Sequence, residues 1–307
     1  MFRRLWRQLK VWKRVGLGPI SLVFRFDRSV RMTRGSFRSR HSHKVDNVSS
    51  SSGGTGGRSH DIAATPAGSS PRAAQCAVIV GVGPGFGYAL ARQLAAEGFD
   101  LILVSREAHR LHPLVLDLHS HGITVESYGT DATDEAAVAK LFDHVCASHD
   151  IPTLVVYAVQ YFGRGDTTEM EVPAFESAWR HNCLGAFLVS RRAAQVMLAR
   201  GSGTIVLVGS TSSLIGRAGY LNLAVGKFGQ RALAQVMARE LWPKGIHVAH
   251  AVVDADIADD RPDPSGAPQS DPNHIAASIL ALHRQPNTAW TSELDLRPWN
   301  EKFWEHC

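Results

Sequence analysis

Apolar positions along this chain fall into two rhythms that alternate from residue 77 onward. The short runs Val78 to Val80 and Leu101 to Ser105 read as strands buried on both faces. Between them Leu90, Leu94 and Ala95 share one side of a helix that ends at Gly98. The alternation continues with a helix over Glu107 to His121, a strand over Thr124 to Gly129, a helix over Glu135 to Ser148 capped by Asp134, and a strand over Thr153 to Val159. A long helix from about Phe175 to Arg200, a strand from Gly203 to Gly209, a helix from about Gly219 to Trp242 and a strand from Ile246 to Val253 follow. Strand and helix in regular turn predict an α/β domain with a doubly wound parallel sheet and helices on both faces.

The loop between the first strand and the first helix carries Gly81, Gly83, Gly85 and Gly87. Glycine permits a positive φ there and lets backbone approach a phosphate, while the free N–H groups of the helix start attract an anion. With a strand before it, a helix after it and a second strand in register, the loop reads as a dinucleotide cradle of the Rossmann type.

Composition and charge divide the chain near residue 74. Residues 1–74 carry 15 Lys/Arg against Asp27, Asp46 and Asp61, a net of +12, whereas residues 75–307 carry a net of −7. The overall charge of +5 therefore belongs to the leader and gives no sign of a nucleic-acid-binding core. In the leader Phe2, Leu5, Trp6, Leu9 and Trp12 form one helical face, ringed by Arg3, Arg4, Arg7, Lys10, Lys13 and Arg14. That is the pattern of a mitochondrial transit peptide or, if it stays attached, of a helix lying on an anionic membrane surface. Import is preferred, because a polar Ser/Gly-rich linker, Ser36 to Ser70, follows; residues 1–74 are expected to lack fixed structure. Gly16 to Phe24 is too short to span a bilayer and carries Pro19, so no membrane span is expected. Cys76, Cys146, Cys183 and Cys307 show no paired spacing, and His109, His112, His119 and His121 fall on different helix faces, so no metal site is expected.

Five features in order over residues 75–253 resemble the short-chain dehydrogenase/reductase family. The loop Gly81-Val82-Gly83-Pro84-Gly85-Phe86-Gly87 fits its GxxxGxG through Gly81, Gly85 and Gly87; Asp131 stands where the family sets an aspartate against the adenine; Asn182 matches its helix asparagine, Ser210 its active-site serine, and Lys227 the lysine of YxxxK. The resemblance implies a nicotinamide cofactor, a small-molecule substrate and a homo-oligomer, with Asn182, Ser210 and Lys227 as the candidate catalytic set. The GPG loop and the segment Ala289 to Pro298 look like a divergent branch. At the end of the second strand Ser105 and Arg106 replace the acidic residue typical of NAD binding, and an arginine suits a 2′-phosphate, so NADP is expected over NAD.

Two departures decide how far the resemblance carries. Four residues before Lys227 stands Leu223, so the family's proton-transferring tyrosine is absent, and Tyr157-Ala158-Val159-Gln160 replaces the NNAG after the fourth strand. Tyr220 lies about 10 Å of helix from Lys227 and reads as a packing residue. Ser212 and Ser213 read as turn residues. Two functions therefore stand: an NADP(H)-linked oxidoreductase acting on a small carbonyl or alcohol with altered proton delivery, and a protein of the same fold that binds a nucleotide or a partner without turnover. Retained Asn182, Ser210 and Lys227 favour the first, and Leu223 favours the second.

Overall fold

The computed structural model describes residues 75–253, 256–257 and 269–301, the first and last segments with side chains. The amphipathic leader and its linker lie outside the described residues. Strand β1 (Gln75–Val80), helix α1 (Phe86–Ala96) and strand β2 (Phe99–Ser105) form the first unit. Helix α2 (His112–Leu118), β3 (Val125–Gly129), α3 (Glu135–Ser148) and β4 (Leu154–Tyr157) follow. Next come α4 (Val172–Trp179), α5 (Gly185–Arg200), β5 (Gly203–Gly209), α6 (Leu221–Leu241) and β6 (Ile246–Val253). Strands β7 (Asp256–Ile257) and β8 (Gln269–Ser270) pair with each other, and α7 (Pro272–His283) and β9 (Glu293–Leu296) end the described chain.

Seven strands make one parallel sheet in the order β3-β2-β1-β4-β5-β6-β9. Helices cover both faces, so each strand is apolar throughout and its alternate residues enter different cores. Ala77, Ile79, Leu101 and Val156 pack against α1, α2 and α7, whereas Val78, Val80, Ile102 and Leu207 pack against α3, α5 and α6. The order reverses between β1 and β4, and the crevice beyond the carboxyl ends of these two strands is where such sheets hold ligands.

Local chemistry explains the boundaries. Asp134 caps α3 as expected, its Oδ1 accepting the N–H groups of Ala136 (2.8 Å) and Ala137 (3.1 Å), a contribution of about 1 kcal/mol. The helix expected over 107–121 is instead 3₁₀, α and 3₁₀ in succession, with Pro113 at the start of the α portion, where its missing N–H costs nothing. The long helix expected to Arg200 is interrupted by a π turn over Arg180–Leu184. Tyr157, fully buried at the end of β4, causes the widening: its hydroxyl donates to the His181 carbonyl. Beyond β6 two further elements appear. Helix α7 covers one face beside α1, and β9 closes the sheet edge, anchored where Trp290 stacks on His247 at 4.9 Å.

Gly185, the first residue of α5, leaves room for that arrangement, because a Cβ there would collide with the Tyr157 hydroxyl and stand 3.2 Å from the Ala132 carbonyl. Gly185→Ala should therefore destabilise the domain by roughly 1–3 kcal/mol. Adding Tyr157→Phe removes the atom the methyl group meets, so the double variant should unfold at a higher denaturant midpoint than Gly185→Ala alone. Strictly additive losses would separate the two residues energetically and contradict this geometry.

Candidate active site

A cleft of about 410 Å³ opens at the carboxyl ends of β1 and β4. The glycines of its floor are glycine for different reasons. Gly81 has φ +93°, and a Cβ on it would lie 2.8 Å from the Val159 nitrogen, so the first loop and the tail of β4 approach only without a side chain. Gly85, at φ 81° and ψ −123°, precedes α1 in a conformation open in practice to glycine alone. Gly87 packs against Val82, whose Cα would be 3.1 Å from a Cβ. Gly83 is different, since a Cβ there would meet nothing within 4 Å and would project into open space.

The cleft fits a dinucleotide on two independent grounds. Tyr88 and Ala89 donate their N–H groups back to Gly83 (3.2 Å) and Gly85 (3.0 Å), which leaves the first amides of α1 for an anion. The hydroxyls of Ser105 and Thr130, both lining the cleft, are buried without a partner among the described residues. Asp131 stands beside them, its Oδ1 accepting the N–H and the hydroxyl of Thr133, both at 2.9 Å. Burial pushes the Asp131 carboxyl pKa up, but the two Thr133 bonds, with His181 and Arg106 nearby, more than reverse this and hold it below its ordinary value. Arg106 lines the rim, exposed and without an ion-pair partner among the described residues, whereas Arg110 is paired to Glu107 at 2.8 Å.

The other half of the site is built where α6 crosses the π turn. Gly226 and Gly229 let the helices touch: a Cβ on Gly226 would lie 2.6 Å from Asn182 Cβ, and one on Gly229 would lie 2.7 Å from Cys183 Sγ. Asn182 is fully buried, accepts from the Tyr161 N–H (3.1 Å) and donates to the carbonyls of Tyr161 (2.7 Å) and Ala178 (3.0 Å). Its amide is thus engaged by backbone, and it acts by fixing the strand tail. Lys227 is 1% exposed, and its Nζ donates to the carbonyls of Val159 (3.1 Å) and Val208 (2.9 Å). Burial pushes the Lys227 ammonium down to about 7. Ser210 follows β5 and opens a one-turn capping box: its N–H donates to Ser213 Oγ at 3.2 Å, its buried Oγ faces the Ser213 N–H, which donates to the Ser210 carbonyl at 2.7 Å, and its hydroxyl proton has no acceptor among the described residues. Leu223 is buried. Tyr220 lies outside α6, its hydroxyl accepting from Arg164 at 2.8 Å and its ring stacked on Phe162, a packing role as the spacing suggests.

The cleft thus gathers Gly81, Gly83, Arg106 and Asp131, with Gly85 and Gly87 shaping its loop. Asn182, Ser210 and Lys227 do not line it; they join it through Val159 and Tyr161, whose backbone Lys227 and Asn182 hold. Sequence reading missed Ser105 and Thr130 as cleft hydroxyls, and it missed His181, which stacks on Tyr161 at 5.0 Å and lines the same wall. The only signal for these was adjacency to Arg106, Asp131 and Asn182.

Residues 75–259 match the family model of short chain dehydrogenases. The chain belongs to that family. A solved short-chain dehydrogenase from Rhodopseudomonas palustris is 33% identical, with a TM-score of 0.66 over 73% of this chain and 99% of that one. A metagenomic short-chain oxidoreductase solved in complex with NADP shares the fold at TM-score 0.65 and 24% identity, covering 74% of this chain and 98% of its own. Among curated proteins, glycine betaine reductase ATRR of Emericella nidulans is 29% identical over 248 residues, 75% of this chain but 19% of that protein's length. Sorbitol-6-phosphate 2-dehydrogenase of Escherichia coli is 27% identical over 177 residues, 57% of this chain and 68% of its own. The family's relatives are oxidoreductases, and it uses NAD or NADP. No helix among the described residues is long and apolar enough to cross a membrane, and none of their His, Cys, Asp and Glu side chains cluster as metal ligands.

The buried lysine sets a pH signature. Its pKa is lower folded than unfolded, so between about 7 and its ordinary value the unfolded chain binds more protons and stability rises with pH; below about 7 the full burial penalty is present. Relative to Lys227→Met, the wild type should therefore gain stability as pH rises from 7 to 9. A difference in unfolding free energy that stays flat across this range would place the Lys227 ammonium in solvent.

Proposed function

We propose that this chain is an NADP(H)-dependent oxidoreductase acting on a small carbonyl or alcohol, with proton delivery that bypasses the absent tyrosine. The observation that carries this reading is the buried Ser210 hydroxyl, whose proton has no acceptor among the described residues, two residues beyond the carbonyl that Lys227 grips. A hydroxyl without a partner in a packed interior is costly unless a ligand completes it.

The glycine loop, the first amides of α1, Ser105, Thr130 and Asp131 would hold the dinucleotide, and when bound it supplies the hydride. Arg106 supports the phosphorylated form, since its guanidinium makes no ion pair among the described residues and matches a 2′-phosphate. Ser210 donates its hydroxyl proton in a hydrogen bond to the substrate oxygen. Two N–H bonds of Lys227 are engaged by Val159 and Val208, and the third is free to hold a water at that oxygen. In carbonyl reduction the water gives its proton to the oxygen and is replenished from the Lys227 ammonium, whose pKa near 7 matches neutral operation. The fitness of Lys227 for this work is a consequence of burial.

A second reading, nucleotide binding without turnover, is favoured by Leu223 alone. Two measurements separate the readings. Titration of the protein into NADPH should shift cofactor fluorescence, and Arg106→Asp should move the preference toward NADH; an unchanged ratio would leave Arg106 as surface charge. Leu223→Tyr places a phenol one helical turn from Lys227, and general acid catalysis contributes about 10²- to 10⁴-fold. Reduction of a small reactive dicarbonyl should therefore rise at least about tenfold in Leu223→Tyr and vanish when Ser210→Ala is added. Cofactor binding with no turnover in either protein would establish the binding reading.

A further inference from the structure

Beneath the Ser210 turn, on the α6 side of β6, lies a polar group that the proposed chemistry does not use. His250 is 1% exposed, and its Nε2 has no partner among the described residues. Its Nδ1 stands 3.3 Å from Glu293 Oε2, in an approach bent away from ideal hydrogen-bond geometry. Glu293 pairs with His250 across the β6–β9 ladder, and Arg231 of α6 grips it with Nε (2.6 Å) and Nη2 (2.7 Å). The Arg231 bonds hold the Glu293 carboxyl below its ordinary pKa, against an opposing effect of burial. A bidentate arginine thus fixes a carboxylate beside one ring nitrogen, and the other nitrogen is left bare.

The bare nitrogen points to the catalytic turn. A Cβ on Gly209 would collide with His250 Nε2 and would lie 2.6 Å from His250 Cε1 and 2.6 Å from Ser213 Oγ. The ring edge and the Ser213 hydroxyl therefore converge on the space that Gly209 leaves. Ser213 is fully buried, and its Oγ already accepts the Ser210 N–H, so its own proton needs an acceptor. A neutral imidazole with Nδ1–H turned to the carboxylate offers that acceptor at Nε2, as an imidazolium could not.

We propose that His250 is a positioning residue: held by Glu293 and Arg231, it accepts the Ser213 hydroxyl proton at Nε2 once a side-chain rotation closes the hydrogen-bond geometry that the two groups, as placed, leave open, and so fixes the turn that aims Ser210 at the substrate oxygen. The groups that face the ring are Glu293 from β9 and Lys227 and Arg231 from α6. Burial and the two cations favour the neutral ring, and Glu293 selects the tautomer. The proposal rests on the reading of Ser210 as the substrate-binding hydroxyl.

Two measurements on the full chain test it. In the long-range ¹H–¹⁵N spectrum of ¹⁵N-histidine protein, the ring signals that disappear in His250→Gln should belong to a neutral tautomer protonated at Nδ1 at pH 7. A ring protonated at Nε2, or at both nitrogens, would overturn the proposal whether or not the protein turns over. With NADPH and butane-2,3-dione, His250→Phe should lower kcat about tenfold, the effect of one buried hydrogen bond. Its NADPH affinity should stay within about twofold, as expected for a defect confined to the substrate end. His250→Gln, which keeps an acceptor near the Nε2 position, should recover most of the rate. An unchanged kcat in His250→Phe, or no recovery in a folded His250→Gln, would also overturn it. A wild type that binds NADPH but reduces nothing would instead refute the oxidoreductase reading, and the tautomer would then decide the role of His250 by itself.

Discussion

A buried ammonium with two carbonyl partners is the constraint on which the catalytic end of this molecule depends. Lys227 bridges the Val159 carbonyl after β4 and the Val208 carbonyl in β5, and so ties two strand ends to one helix from below. An uncompensated ammonium at this depth would cost several kcal/mol, so its partners cannot move away without exposing it or forcing it to lose its proton. The same desolvation makes the amine labile near neutrality. Rigid placement and proton lability have one cause.

Closeness of backbone is the second theme, and glycine provides it at each crossing. Gly226 and Gly229 bring α6 onto the π turn, Gly185 admits the Tyr157 hydroxyl beneath that turn, and Gly81 lets the first loop touch the tail of β4. Asn182 then locks the tail through both polar atoms of its amide. Tyr157, which replaces the first residue of the family's NNAG, does not face the cofactor cleft at all. Its bulk is absorbed inside the core by a widened helical turn, while Ala158, Val159 and Gln160 form the wall.

The sheet from β1 to β6 was legible because strands covered on both faces must be apolar throughout, and short β-branched runs between helical patterns have few other readings. The π turn was not, since the apolar spacing from Phe175 to Arg200 is that of an unbroken helix and the cause of the interruption lies on β4. Strand β9 escaped because Glu-Leu-Asp-Leu is too short to stand out, and it becomes a strand only by pairing with β6. At the site, Gly81, Arg106 and Asp131 were found by their places after β1, β2 and β3, whereas the orphaned hydroxyls of Ser105 and Thr130 emerge only when burial is known. His250 carried no sequence signal, because its significance comes from an unpaired nitrogen and a missing Cβ at Gly209.

The chemical half of the site is closed by an element far along the chain, because Glu293 sits on β9. Arg231 on α6 and His250 on β6 precede Glu293 in the chain, and its carboxylate is the negative charge among the described groups that face the His250 ring, beside the cations Lys227 and Arg231. Docking of the last sheet edge delivers that negative charge. Removal of β9 would leave the residues of the nucleotide cleft in the chain and take away the carboxylate that sits between Arg231 and His250.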